Sequence, residues 1–221
     1  MKKEFSERPG FLSKEYCAAC GNMSWMDFVA GMPALVFVVT GWKSNGKPNA
    51  CLQSWTSFVG AGPDDFMCVM AKVYKGGHMY QSLKETGVCA LNFPSADVFD
   101  RCIKTIGNNS FDDDEITAAG LTVESCARVN APRIAECFLN IECETLWEHE
   151  LLPGSDEVTI ALRAVHLCMD NDRFDQAKLG RYGETGFLYQ IDQPTHPETG
   201  ERSPITHGTL TPCAPIEWKT K

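Results

Sequence analysis

The side chains with chemistry to offer are concentrated in one stretch. Ser54-Trp55-Thr56-Ser57 sets three hydroxyls around an indole and runs on into the glycine-rich Gly60-Ala61-Gly62-Pro63. Hydroxyls and backbone amides at a strand end can hold a phosphate, and an aromatic beside them can cover a planar ring. Two further sets stand out, the basic link Lys72-Val73-Tyr74-Lys75-Gly76-Gly77-His78 and Asn92. Taken one at a time, Ser54 to Ser57 reads as a polar strand end, and Lys75 and His78 as a solvated turn. They converge only if the third strand and its helix lie beside the preceding hairpin, as consecutive elements commonly do.

Other chemistries lack their residues. No G-x-x-x-x-G-K-[ST] is present and no G-x-G-x-x-G opens a helix, so neither a P-loop nor a Rossmann dinucleotide site is supported. Gly60-Ala61-Gly62 is followed by Pro63-Asp64-Asp65 rather than by a phosphate-binding helix. H-E-x-x-H and the G-x-S-x-G elbow are absent. The five histidines are scattered without metal-ligand spacing; His166 falls in a strand, and His196 and His207 in the tail. Cys17-Ala18-Ala19-Cys20 is half of a zinc or rubredoxin-type site, and no second pair follows. A loop with free thiols is the plainer reading, because a redox dithiol belongs at a helix start in a βαβ context. The acidic run Asp112-Asp113-Asp114-Glu115 lacks EF-hand spacing and reads as a solvated loop. No metal site is expected.

Several elements must position these residues. Residues 34–39 form an apolar, β-branched run bounded by Pro33 and Gly41, which predicts a strand buried on both faces. Lys43-Ser44-Asn45-Gly46-Lys47-Pro48 is turn chemistry, and residues 49–55 return as a second strand. FMCVMA at 66–71 is a third strand, the link to His78 is flexible, and a helix over 79–85 is closed by Gly87. Strand 88–93 precedes a helix over 97–106 with Val98, Cys102 and Ile106 on one face, then a polar loop over 107–115. A short strand at 120–123 and long ones at 138–147 and 157–169 follow, the last two joined by the turn Pro153-Gly154-Ser155-Asp156. Residues 187–191 are expected to close the sheet. Six or seven hairpin-connected strands with two inserted helices predict a small antiparallel barrel, with ligands at a mouth or a subunit interface.

Composition sets the class. At 221 residues, 43% hydrophobic and 22% charged, the chain suits one globular domain with appendages. We divide it into an N-terminal extension (1–32) packing on the barrel, a barrel domain (33–191) and a C-terminal surface tail (192–221). A net charge of -9 argues against nucleic-acid or anionic-membrane partners. No apolar run reaches membrane-span length, and MKKEFSERPGF has no apolar segment of a signal peptide, so the expected location is cytoplasmic. Eleven cysteines, most inside apolar runs, fit reduced thiols acting as small hydrophobes.

The succession PALVFVVT, NGKPNACLQSW, TSFVGAGPDDFMCVM and HMYQSLKETGVCALNFP, continued by AGLTVES and APRIAECFLNIECE, resembles the flavin reductase-like family. Its FMN-binding split-barrel members include the flavoredoxins. Each motif alone is weak, whereas the ordered set from about residue 33 to 169 is specific. The resemblance implies a mainly β fold: an antiparallel Greek-key split β-barrel with a few short helices. It also implies a homodimer holding FMN non-covalently near the dimer interface.

Carried over by position, Gln53, Ser54, Trp55, Thr56 and Ser57 would line the flavin and hold its phosphate, with Asn49 and Ala50 beginning that strand. Lys75 and His78 would reach the phosphate, Asn92 follows the helix, and Arg133 of Pro132-Arg133-Ile134 would meet the partner subunit or the flavin edge. Backbone amides around residues 56–62 would serve the pyrimidine edge and the phosphate. Leu52 stands where many relatives have a hydroxyl, and Gly76-Gly77-His78-Met79 lacks the usual Arg/Ser/Thr pattern. The implied function is an FMN-dependent oxidoreductase passing electrons from NAD(P)H, or another low-potential donor, to a small-molecule or protein acceptor. No catalytic side chain is implied, because the flavin itself carries the chemistry. The alternatives are a non-enzymatic flavin electron carrier and a Cys-rich metal or redox module using Cys17 and Cys20.

Overall fold

The computed structural model describes residues 1–20, 23–107, 110–174, 179–191, 196, 198–203 and 206–213. The expected tail thus has 192–195, 197, 204–205 and 214–221 outside the described residues, and the 107–115 loop has 108–109 outside them. In chain order the elements begin with α1 (Lys14–Ala19), α2 (Trp25–Ala30), β1 (Pro33–Leu35), β2 (Phe37–Trp42), β3 (Pro48–Gln53) and β4 (Thr56–Gly60). Next come β5 (Phe66–Tyr74), α3 (His78–Thr86), β6 (Val88–Phe93) and α4 (Ala96–Cys102), which tightens into a 3₁₀ turn, Ile103–Ile106. The remainder is α5 (Glu115–Ala118), β7 (Val123–Ser125), β8 (Pro132–Ile134), β9 (Leu139–Glu150), β10 (Glu157–Met169), β11 (Leu188–Ile191) and β12 (His207–Thr209).

Two compact units result: Met1–Ala34 with Tyr189–Gly208, and Leu35–Leu188 with the described residues from Thr209 on. In the smaller unit, α2 starts at a capping box in which Ser24 and Asp27 satisfy each other's backbone amides. Leu12, Cys17 and Phe28 form its buried cluster, so the Cys17 thiol serves as packing. Most of a three-stranded sheet, ordered β1-β11-β12, belongs here. Residues 187–191 were expected to close the main sheet; instead Leu188–Ile191 form β11, the middle strand of this second one.

The larger unit holds a seven-stranded sheet in the order β3-β2-β6-β9-β10-β5-β4. Its six pairings are all antiparallel, and the β2–β6, β6–β9 and β5–β10 crossovers make a Greek key. Its interior is filled from several strands, with Phe37, Val39, Met70, Leu91, Phe138 and Ile160 at the centre. Val36 and Val38 point the other way, into a cluster with Phe99, Ile116 and Ile134. The apolar run is therefore buried on both faces, as expected, although it breaks at Val36 into β1 and β2. Strands β3 and β4 are consecutive in sequence, yet they stand at opposite ends of the sheet order and do not pair. That gap, spanned by Ser54 and Trp55, is where the barrel is split. No helix among the described residues is long and apolar enough to cross a membrane.

Candidate functional site

A cavity of about 300 Å³ opens at the split, within the range of small-molecule sites. Five consecutive residues, Asn49 to Gln53, line it, which the two alternating faces of a strand can do together only at the strand's edge. The Ala50 N–H, on an edge strand, donates to Glu115 rather than to β2, so the Thr40–Ala50 pair is of the non-hydrogen-bonded kind. Two residues on, Leu52 repeats that orientation, and its N–H and C=O point away from β2 on the cavity's edge. The opposite wall comes from β5 and α3, with Met70, Lys72, Tyr74, His78 and Tyr80.

Behind Ala50 lies a buried ionic cluster that the sequence reading missed. Glu115, expected in a solvated loop, opens α5 with its side chain 0% exposed, and the Lys43 side chain is 1% exposed. Lys43 Nζ sits 2.7 Å from Glu115 Oε1 and also donates to the Ser110 and Asp113 carbonyls. The other Glu115 oxygen accepts from Ala50 N at 2.7 Å. His78 Nδ1 is buried, has no hydrogen-bond partner, and lies 3.9 Å from Glu115 Oε1. Burial, and secondarily the Glu115 charge, pushes the Cys51 thiol up to about 11, so this cavity-lining cysteine is an unreactive thiol at neutral pH.

Of the expected site residues, the structure brings together Asn49, Ala50, Gln53, Trp55 and His78 on the cavity wall. Asn49 Nδ2 donates to Ser82 Oγ, and Gln53 Oε1 accepts from Ser54 N, which fixes both amides. Ser54 is buried beside them, Thr56 and Ser57 begin β4, and the Thr56 hydroxyl is buried without a hydrogen-bond partner. Thr56 pairs across the sheet with Met70, a wall residue, so both side chains rise from one face.

Two expectations are not met by the geometry. Lys75 does not line the cavity; its ammonium is 2.8 Å from Glu150 and from the Ser155 carbonyl, at the β9–β10 hairpin. Asn92 is a core residue: it donates to the Val38 carbonyl and Thr40 Oγ1, and its oxygen accepts from Ile134 N and Asn140. Residues 56–60 pair with β5 along one side of β4 and Ala61 N donates to Asp65 O, while the alternate amides of β4 face away from β5, because β4 ends the sheet. Arg133 lies in β8 and pairs with Glu124.

The basic link was also misjudged. Residues 72–74 continue β5 rather than forming a flexible turn, because β10 supplies a partner as far as Tyr74. The register slips there: Ala71 and Lys72 stand opposite Thr159 alone, a β-bulge. Within it Lys72 has φ +62°, the one positive φ at a non-glycine residue among those described. Its ammonium rests 4.8 Å from the centroid of the Trp55 ring. No sequence signal singles out Lys72 from Lys75; the bulge decides between them. Among the described residues, no group of three or more His, Cys, Asp or Glu side chains is arranged to hold a metal.

The model of the flavin reductase like domain matches residues 29–188, most of the chain. This chain belongs to the flavin reductase-like family. An uncharacterised relative from Methanothermobacter thermautotrophicus is 29% identical over 115 residues, 51% of this chain; the match spans about half, 53%, of that protein's length. Among solved structures, nitrilotriacetate monooxygenase component B from Bacillus cereus superposes with a TM-score of 0.74 at 15% identity, covering 98% of this chain and 100% of that one. A flavoredoxin from Methanosarcina acetivorans gives 0.61 at 21%, covering 85% and 90%. An FMN-binding protein from Thermus thermophilus gives 0.65 at 15%, covering 85% and 93%. At such identities the likeness is one of fold, and the fold of this flavin reductase-like chain is the antiparallel split barrel that the sequence motifs implied.

Proposed function

We propose that the protein is an FMN-dependent oxidoreductase of the flavin reductase type, moving electrons from NAD(P)H or another low-potential donor to a small-molecule or protein acceptor. The carrying observation is the cavity at the split, walled by the outward edge of β3. A flavin's pyrimidine edge alternates acceptors and a donor, and a strand edge presents the complementary groups, here at Leu52. Apolar wall residues such as Val39, Leu52 and Met79 suit the faces of a planar ring, and among the described residues no Asp or Glu lines the cavity to repel an anion. The buried, unpartnered Thr56 hydroxyl is a donor at the same split.

When bound, FMN would accept a hydride and pass electrons on. The chain's own residues orient it: the Ala50–Glu115–Lys43 cluster holds β3 in place, and Asn49 and Gln53 are fixed by their own hydrogen bonds. A homodimer belongs to the same reading. Strand β4 ends the sheet and carries the exposed Val59, an edge that a second copy can cover.

The absorption spectrum of the protein as purified, with release of FMN on denaturation, is the first test. Oxidation of NADH or NADPH is then measured anaerobically with and without added flavin, and reduced ferredoxin is tried as donor. Turnover supports the proposal. A yellow protein without turnover from any of the three leaves a flavin electron carrier, and failure to bind added FMN at all overturns the reading.

A further inference from the structure

Two buried polar atoms behind the cavity face each other, and neither has a hydrogen-bond partner among the described residues. His78 Nδ1 is enclosed although its side chain is 29% exposed, so the open part of the ring lies away from Nδ1. Opposite it, 3.9 Å away, is Glu115 Oε1, which has the Lys43 ammonium at 2.7 Å but outside hydrogen-bond geometry. Buried polar groups are ordinarily paired, and this couple stands roughly 1 Å beyond hydrogen-bond length. The imidazole also sits where two cavities adjoin. It lines the large one at the split and a smaller one of about 130 Å³ that Lys43, Gln81, Glu85 and Phe111 share.

The charges around the ring are opposed. Glu115 of α5 and Glu85 of α3 favour a proton on it. Lys43 behind it, Lys72 across the cavity and the N-terminus of α3, where His78 is the first helical residue, disfavour one. The Cys51 thiol is uncharged at neutral pH, and Tyr74 and Tyr80 present phenols. With the fixed charges so divided, one further negative charge in the cavity tips the balance, and imidazole is the side chain that responds near neutral pH.

We infer that His78 is the proton-accepting residue of the cavity: it takes one proton from solvent, donates Nδ1–H to Glu115, and so offsets the negative charge gained there on reduction. The inference rests on the proposed flavin site. Hydride transfer from a nicotinamide donor breaks the donor's C–H bond and brings two electrons and one proton into the cavity, whose charge falls by one. The new N–H bond on His78 restores it. Glu115 is the positioning residue, and Lys43 keeps its carboxylate charged.

The test uses the full chain loaded with riboflavin or with FMN, and reads the midpoint potential of the bound flavin at pH 6 and pH 9. His78→Gln is expected to weaken the preference for reduced over oxidised flavin about 10-fold at pH 6, about 30 mV for two electrons, and to match the wild type at pH 9. Reduction at pH 7 in weakly buffered solution should take up more protons in the wild type than in the variant, read with a pH-indicating dye. Nδ1 has no hydrogen bond to lose, so His78→Gln should melt within about 2 °C of the wild type, and His78→Asn repeats the comparison with a shorter amide. Equal potentials at pH 6, or a difference that persists at pH 9, overturn the inference alone. So does a difference seen with FMN and not with riboflavin, which moves His78 to the phosphate. No binding of either flavin by the wild type overturns the proposed function and this inference with it.

Discussion

Lys43→Met removes one half of an ion pair that water does not reach. Glu115 then keeps the Ala50 N–H at 2.7 Å but loses the ammonium at the same distance, leaving a buried carboxylate without a counter-charge. Such a loss costs about 3–5 kcal/mol. Glu115→Gln produces the opposite imbalance: the Lys43 ammonium retains only the carbonyls of Ser110 and Asp113, and the cost falls in the same range. The double variant, Lys43→Met with Glu115→Gln, buries no charge, and the amide oxygen can still accept from Ala50.

It should therefore lose less than either single variant, a coupling on the order of 3 kcal/mol. Urea unfolding at pH 7 measures all four proteins, and the single variants should melt about 6–20 °C below wild type. Single losses below about 1 kcal/mol, or a double variant that loses the sum of the two, would refute the reasoning. The pair would then be exposed in solution or unconnected to β3.

Three further outcomes follow from other parts of the molecule. Lys75→Ala should leave FMN affinity, read by fluorescence quenching, within about 3-fold of wild type and leave the urea midpoint close to that of wild type, because solvent screens its half-exposed pair with Glu150. Burial pushes the Glu142 carboxyl up, but the N–H groups of Ala127, Arg128 and Val129, helped by His166, outweigh it and hold the group below the usual carboxylate range. A depressed carboxyl stabilises the fold above its unfolded value, about 4.3, and that contribution is lost as pH falls through the folded value. Glu142→Gln should therefore be clearly less stable than wild type in urea at pH 7, with the gap narrowing below about pH 4. Gly87→Ala should lose about 1 kcal/mol, read as a melting shift of about 2–4 °C, because φ is +69° at this helix end while a Cβ would meet nothing within 4 Å.

The strand at 157–169, the strand at 88–93 and the helix ended by Gly87 were legible because their signals are local. Period-two alternation, a β-branched run and a C-terminal glycine act over a few neighbours. β4 was not legible: residues 56–60 carry hydroxyls and a glycine, and only pairing with β5 makes them a strand. The site divided along the same line. Asn49, Ala50, Gln53, Trp55 and His78 fell within motifs whose order the family shares, and they meet at the cavity. Lys75 and Asn92 fell within the same motifs, but a hairpin glutamate 75 residues away claims the lysine and a core network claims the asparagine.

The sequence by itself therefore determined the family, the antiparallel barrel and the strand that walls the cavity, because order and alternation along the chain are local properties. Only the tertiary structure decided which charges are buried in pairs and which line the cavity. Glu115 reads as one of four acids in a polar run until folding buries it against Lys43, 72 residues earlier. Lys72 and Lys75 differ in nothing local that sets one into the cavity; the bulge opposite Thr159 separates them, and it exists only where β10 lies beside β5. Electrostatic roles depend on distance in space, and distance in space is what a linear pattern does not contain.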